Sequence, residues 1–240
     1  MQRLLIPFWM LGCVASLIAA EDAEKPRKVD PGAAKIMRVA HVARSSWADD
    51  FPGFSAAISV TIDGKQTAGK VRVSSDGEVQ LELPKGEAAD WATRTMESVV
   101  MHRLAVVHKE YSVSFADDVK DHPLGRLIRF HDGTHNLYRI KDDLITEVHR
   151  EGEHFKFTIT VSAADRNPEN KTLPKHFNVS FWNPKTNELT RNEDYHEDWI
   201  QVGKVDVPQR RLLIRTGKDG RRVLELRLSD HQLLPAKNGK

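Results

Sequence analysis

Phe54-Ser55-Ala56-Ala57-Ile58-Ser59-Val60-Thr61-Ile62-Asp63-Gly64 decides the fold class. Phe54, Ala56, Ile58, Val60 and Ile62 alternate with Ser55, Ala57, Ser59, Thr61 and Asp63. A period of two means a strand with one dry and one wet face. Asp63-Gly64 is a hairpin turn signal, so the next strand returns antiparallel beside the first. Val71 and Val73 alternate with Lys70 and Arg72, Asp76-Gly77 turns again, and Val79, Leu81 and Leu83 resume the pattern. Three strands in a meander are predicted.

The same grammar continues towards the C-terminus. Leu127 to His131 and Asn136 to Lys141 flank Asp132-Gly133. Ile145 to Arg150 and His154 to Val161 flank Glu151-Gly152, and Phe155, Phe157, Ile159 and Val161 form the clearest alternation in the chain. Phe177, Val179 and Phe181 mark another strand, closed by the turn residues Asn183 to Asn187. Leu189 to Trp199 is extended but polar on both faces, which reads as an edge or a rim. Arg211 to Thr216 and Val223 to Leu228 make a final hairpin about Lys218-Asp219-Gly220.

Two segments have the helical period instead. Ala33 to Arg44 carries Ala33, Ile36, Met37, Val39, Ala40 and Val42. Gly86 to Leu104 carries a stripe of Ala88, Ala92, Met96, Val99 and Val100, with Trp91 beside it and Arg94, Glu97 and Arg103 pointing elsewhere. Tight turns join antiparallel strands, and no strand–helix–strand repeat appears. The expected class is therefore α+β: a single curved antiparallel sheet of about ten strands, half-barrel-like, with two helices covering its concave side. A sheet of that width does not stay flat.

The organisation along the chain is an address, a tether and one domain. Residues 1–20 read Arg3, an apolar run from Leu4 to Ile18, then Ala19-Ala20, the pattern of a secretory signal peptide. Cys13 follows Gly12, but Val14 to Ala20 stays apolar, which disfavours lipid anchoring at Cys13. Residues 21–32 form a charged, proline-containing tether, and 33–237 form one domain. The expected location is secreted or periplasmic, with no membrane span once the signal is cleaved. With 36 Lys and Arg against 34 Asp and Glu, the net charge of +2 argues against a nucleic-acid binder. A single cysteine excludes a disulfide framework and a Cys-based zinc site.

Trp47-Ala48-Asp49-Asp50-Phe51-Pro52-Gly53-Phe54-Ser55-Ala56 resembles the opening signature of a bacterial family. It is the domain-of-unknown-function family numbered three-three-eight-six, of cyanobacterial and planctomycete type. Gly69 to Val73, Val99 to Arg103, Phe181 to Leu189 and Leu226 to Ser229 are similar to it too, so the resemblance spans about residues 33–234. The stretch from Asp121 to Asp132 departs from the pattern. The family has no assigned reaction, so the resemblance implies no catalytic residue. The order of elements also resembles, more loosely, the periplasmic lipoprotein carriers, whose half-open barrel holds acyl chains under helical lids; this is an analogy of fold alone.

Three readings of function follow. In the first, the inward-pointing Phe54, Ile58, Phe155, Phe157, Phe177 and Phe181, with Trp91 and Met96 of the second helix, line a site for an apolar ligand or a lipidated partner. The plainer reading of the same residues is a filled core. In the second, the chain is an envelope structural or interaction protein with a solid core, working through Leu189 to Trp199. The third is a hydrolase or metal-dependent enzyme centred on His196, between Asp194 and Asp198, or on His149 with His154 across the Glu151-Gly152 turn. No phosphate loop, nucleophile elbow or zinc-protease motif is present, and no cofactor is implied. One-sided alternation in the strands, with two helices to cover the dry face, favours the non-enzymatic binding module.

Overall fold

The computed structural model describes residues 29–104, 111–131 and 136–235. The signal segment, Cys13, most of the tether and the Asp132-Gly133 turn lie outside the described residues. The elements run α1 (Pro31–Ala43), β1 (Gly53–Ile62), β2 (Lys65–Ser74), β3 (Val79–Glu82) and α2 (Glu87–Arg103). Then come β4 (Val113–Phe115), β5 (Arg126–Phe130), β6 (Leu137–Lys141), β7 (Leu144–Glu151) and β8 (Lys156–Arg166). The last four are β9 (Thr172–Trp182), β10 (Leu189–Val202), β11 (Val205–Gly217) and β12 (Gly220–Leu233).

All twelve strands join one open antiparallel sheet in the order β3-β2-β1-β12-β11-β10-β9-β8-β7-β6-β5-β4. The chain is a meander whose first hairpin docks against the last strand. The count corrects the expected ten: β4 has only three residues, too few to display a period of two. The position of Leu189 to Trp199 is corrected as well. β10 is an interior strand, paired with β9 and β11, and the edges are β3 and β4. Its charges are satisfied by neighbours across the sheet, which a single strand does not reveal.

The turns form for the reasons the residues suggest. Asp63 and Gly64 both sit at positive φ (47° and 87°), the primed-turn geometry that matches strand twist. Gly53 is required in the Phe51-Pro52-Gly53-Phe54 signature: its φ is +92°, and a Cβ there would stand 2.4 Å from the Val73 carbonyl oxygen.

Register shows that both helices lie on one face. Residues opposite each other across an antiparallel pair share a face. Ile58 faces Leu228, and two residues on Leu226 faces Arg211. Leu213 faces Tyr195, Tyr195 faces Phe177, and Phe177 faces Val161. Ile159 faces Val148, Val148 faces Tyr138, and Tyr138 faces Ile128. One side of the sheet is thereby traced from Ile58 to Ile128. At the Ile58 end, Trp91, Ala92, Met96 and Val100 of α2 close a core with Phe54, Val60, Leu213, Leu224 and Leu226. At the Ile128 end, Ala33, Met37 and Ala40 of α1 close a second core with Val113, Ile128 and Ile140. α1 begins at Pro31 because the Asp30 carboxylate accepts the Gly32 and Ala33 N–H groups at 2.8 and 3.2 Å.

Candidate functional site

Between the two closed ends lies a stretch that neither helix covers. α1 packs on β4, β6 and β7, and α2 on β1 and β3. β1 shows what a covered strand looks like: its odd and even residues alternate between half-buried and buried. From Lys156 to Val161, β8 does not, and every residue there is half-buried, including Phe157, Ile159 and Val161. By register these three share the helix-side face with Phe177, Val179 and Phe181 of β9 and Val148 of β7. Of that apolar stripe, only Val179 is closed off from water.

Behind the floor, on β8 to β10, the opposite face is polar. Thr158, Thr160, Asn178, Ser180 and Asn192 occupy it, with Asn178 Nδ2 donating to Asn192 Oδ1 at 2.6 Å. The uncovered stripe is therefore a greasy floor on the inner side of a sheet whose outer side is wet. A shallow pocket of about 340 Å³ opens mainly among Leu127, Leu137, His149 and Thr158 of the outer side. The stripe itself is an open floor.

Charged residues border the floor on the β10 side. Glu193 is 3% exposed, forms an ion pair with Arg191, whose Nε lies 2.9 Å away, and accepts hydrogen bonds from Arg215 Nε at 2.7 Å and the Tyr195 hydroxyl at 2.7 Å. Glu197, equally buried, pairs with Arg211. Tyr195 stacks on Phe177, with ring centroids 4.6 Å apart and an interplanar angle of 10°. Burial, and then the Glu193 carboxylate, push the Tyr195 phenol well above its ordinary range, so its proton stays on.

One end of the floor is closed by a polar knot. The segment after α1 runs from Arg44 to Trp47 and bridges Thr172 at the start of β9. Ser45 Oγ donates to Asp206 Oδ2 at 2.6 Å, and Asn167 Nδ2 donates to the same oxygen at 2.7 Å. Arg103 Nη1 donates to the Ser45 carbonyl at 2.7 Å, and its guanidinium lies 4.4 Å from the Trp199 ring centre. Burial lowers the Arg103 pKa to about 10, offset in part by Glu197. Arg103 was expected to point away from the core; it is instead a buried pin, because α2 ends where the knot needs a donor. Trp47, the first residue of the signature, donates its indole N–H to the Asp206 carbonyl at 2.8 Å and stacks on Phe51. That part of the motif is a structural lock.

The sequence-predicted site residues divide into two groups. Phe54, Ile58, Trp91 and Met96 lie together in the closed core under α2. Phe157, Phe177 and Phe181 lie on the open floor, and Phe155, 50% exposed, continues their row with its ring centroid 6.0 Å from that of Phe157. Val148, Ile159, Val161 and Val179 complete the floor. Their alternation was legible, but their place beside the phenylalanines required register.

The histidine constellations are outer-side features. His149 donates to Glu147 Oε2 at 3.1 Å and sits 3.1 Å from Thr158 Oγ1, while His154 is 84% exposed and 3.9 Å from Glu153. The hairpin does not bring the two imidazoles onto a shared ligand set. His196 donates to Asp194 at 3.1 Å and packs edge-on against His176, and Asp198 turns to Arg210 at 3.4 Å. Arg210 and Arg211 pair with Glu225 and Glu197. Among the described residues, no three His, Cys, Asp or Glu side chains are grouped to hold a metal ion. Among them also, no helix is long and apolar enough to cross a membrane.

A family model described as "Protein of unknown function (DUF3386)" matches residues 29–234. No curated protein matches. Among solved structures, the chain is similar to a domain assigned as an outer membrane lipoprotein-sorting protein from Vibrio parahaemolyticus. The identity is 9%, with 86% of this chain and 92% of that one covered, at a TM-score of 0.36. It is also similar to a DUF1329 family protein from Desulfovibrio piger, at 10% identity over 87% and 93% of the two chains, with a TM-score of 0.26. A third likeness is to the MucA/MucB complex of Pseudomonas aeruginosa, at 11% identity over 85% and 100%, with a TM-score of 0.20. These scores are low, and nothing about function passes from those proteins to this one.

Proposed function

We propose, for a chain that belongs to the DUF3386 family of proteins of unknown function, a non-enzymatic role: binding an apolar ligand on the uncovered floor of β7 to β9. The ligand class is an acyl chain, free or carried by a lipidated partner. The supporting observation is the stripe of Phe157, Ile159, Val161, Phe177 and Phe181, half-buried on the same face that both helices cover elsewhere. Contiguous apolar surface left in water marks a place where something else is meant to sit. The accumulated twist of so many strands would curl the sheet about this stripe as a half-barrel. On the same reading residues 1–20 export the chain, and it works in the periplasm or outside the cell.

The test is a chain-length series. Each buried methylene contributes about 0.8 kcal/mol, so lengthening a fatty acid by two carbons raises affinity by up to about 15-fold until the floor ends. Isothermal titration of the purified protein with C8 to C16 fatty acids measures this. Ile159→Glu and Val161→Glu, whose wild-type side chains are partly in water already, should fold and lose binding. Affinity independent of chain length, or undiminished in both variants, would overturn the reading.

A further inference from the structure

The end of the floor away from the polar knot carries one in-register row across four strands. Arg150 pairs with Phe157, Phe157 with Phe181, and Phe181 with Arg191, so all four side chains share the inner face. The two inner members are rings with centroids 5.9 Å apart, and the two outer members are guanidiniums. Arg191 lies 3.7 Å from the centre of the Phe181 ring. Arg150 is exposed and donates to the Tyr138 hydroxyl at 3.0 Å.

Charge at this row is unbalanced. Glu193 serves both Arg191 and Arg215, so two cations share one carboxylate. Tyr195 occupies the other Glu193 oxygen and remains protonated, so it adds no negative charge. The partner of Arg150 is a neutral phenol, and among the described residues no carboxylate pairs with it. The rows beyond, Val148 with Ile159 and Val179, then Val161 with Phe177, are apolar up to their β10 ends, where Glu193 is the charged residue and Tyr195 a neutral one.

We propose that the ligand is an amphiphile with an anionic head. The head lies between Arg150 and Arg191 over the two phenylalanine rings, and the tail runs past Ile159 and Val179 towards Val161 and Phe177. This rests on the acyl-binding reading above and names its substrate class. Three strand spacings separate the two arginines, about 14 Å, a gap that two long side chains close from opposite sides around one carboxylate or phosphate. Guanidinium suits that role because its planar fork meets an oxyanion with two parallel N–H donors, and it tolerates an aromatic face beneath it. Polarity also sets the direction. The far end is shut by Trp199, Arg103 and the Ser45–Asp206 knot, so the head faces the open end.

The experiment separates the head from the groove. The neutral fluorophore N-phenyl-1-naphthylamine reports occupancy of the floor, and it is displaced by laurate, dodecyl phosphate or dodecanol. In the wild-type protein an anion of equal tail length should bind about tenfold or more tighter than dodecanol, the expected worth of a charge-assisted pair. In Arg150→Gln with Arg191→Gln, and to a lesser degree in Arg150→Gln alone, that ratio should fall towards one. Retained binding of the fluorophore shows that both variants fold, and the ratio of anion to dodecanol affinity within each variant is the quantity read. Whichever anion competes better identifies the head as carboxylate or phosphate. Equal binding of laurate, dodecyl phosphate and dodecanol to the wild type would overturn the anionic head and leave the groove standing. Failure of the wild type to bind the fluorophore or any of the three would overturn the groove itself.

Discussion

Two isoleucines on one face of one sheet give the sharpest test of whether the floor is open. Ile58 sits in β1 between Gly69 and Leu228, and Ile159 sits in β8 between Val148 and Val179. Both are interior-strand residues on the helix side. Ile58 is 2% exposed beneath α2, while Ile159 is half-buried on a strand away from the main packing of α1 and α2. Ile58→Ala removes methyl groups from a closed core whose walls relax only partly, at a cost of about 2–5 kcal/mol. Ile159→Ala removes atoms already partly in water and leaves no enclosed void, at about 1 kcal/mol. For a domain of this size each kcal/mol moves Tm by about 2–4 °C. Urea unfolding followed by tryptophan fluorescence at pH 7, with m unchanged, reads both numbers. Laurate at a hundred times its Kd should then stabilise the wild type and Ile58→Ala by about 2.7 kcal/mol. It should stabilise Ile159→Ala less, because that variant has lost floor. Equal losses at the two sites, or equal ligand stabilisation of all three proteins, would refute the distinction between closed core and open floor.

Three further outcomes follow from the charges. Glu193→Gln keeps the shape of the side chain but strips the counterion from Arg191 and Arg215, and should cost about 1.5–3 kcal/mol in urea unfolding at pH 7. Ultraviolet titration should show the Tyr195 phenol ionising at lower pH than in the wild type, yet above a free tyrosine, since burial is the larger cause of its shift. The exposed cluster of Arg222, Asp63 and Glu87 gives a pH-dependent prediction. Asp63 is held below its ordinary value by the Val223 N–H and then by Arg222, and Glu87 by Arg222. Both carboxyls have depressed values in the folded state, so their contribution is present above the ordinary carboxylate pKa and is lost as pH falls through the folded values. The Arg222→Gln deficit in urea midpoint should therefore be seen at pH 7 and shrink below about pH 4. A deficit independent of pH would show that the arginine acts through packing.

Much of the architecture was legible because it is local. The alternation of β1, the Asp63-Gly64 turn and the Met96 stripe each need only neighbouring residues. The polar strand β10 was misread as a rim because its reason is not local: Glu193 answers to Arg215 and Glu197 to Arg211, more than a dozen residues further along the chain. The floor failed for a related cause. Phe54 and Phe157 look alike in sequence, each an inward aromatic in an alternating strand. Only the landing points of α1 and α2 decide that the first is sealed and the second is not. Arg150 and Arg191 carry no signal of their own, since nothing along the chain places them in one row.

The opening is a consequence of this charge pattern. On the helix side, β10 and β11 present Glu193, Glu197, Arg211 and Arg215. Glu193 and Glu197 are already buried among their partners, but an apolar helix laid across this seam would have to strip water from the partly exposed Arg215 guanidinium, at several kcal/mol after relaxation. Those ions pair with one another along the sheet instead, and α2 reaches no further than the line of Leu213 and Leu224. α1 is fixed at the other margin by its fit to Val113, Ile128 and Ile140. What crosses between them is the segment from Arg44 to Trp47, held by hydrogen bonds from its backbone, Ser45 and the Trp47 indole. Its large apolar side chain, Trp47, packs into the core beneath α2, so the segment seals one end and leaves the phenylalanine rows bare. A charged seam that repels one helix and a second helix anchored on the far side of β8 and β9 together define a floor that the chain does not cover with its own described helices.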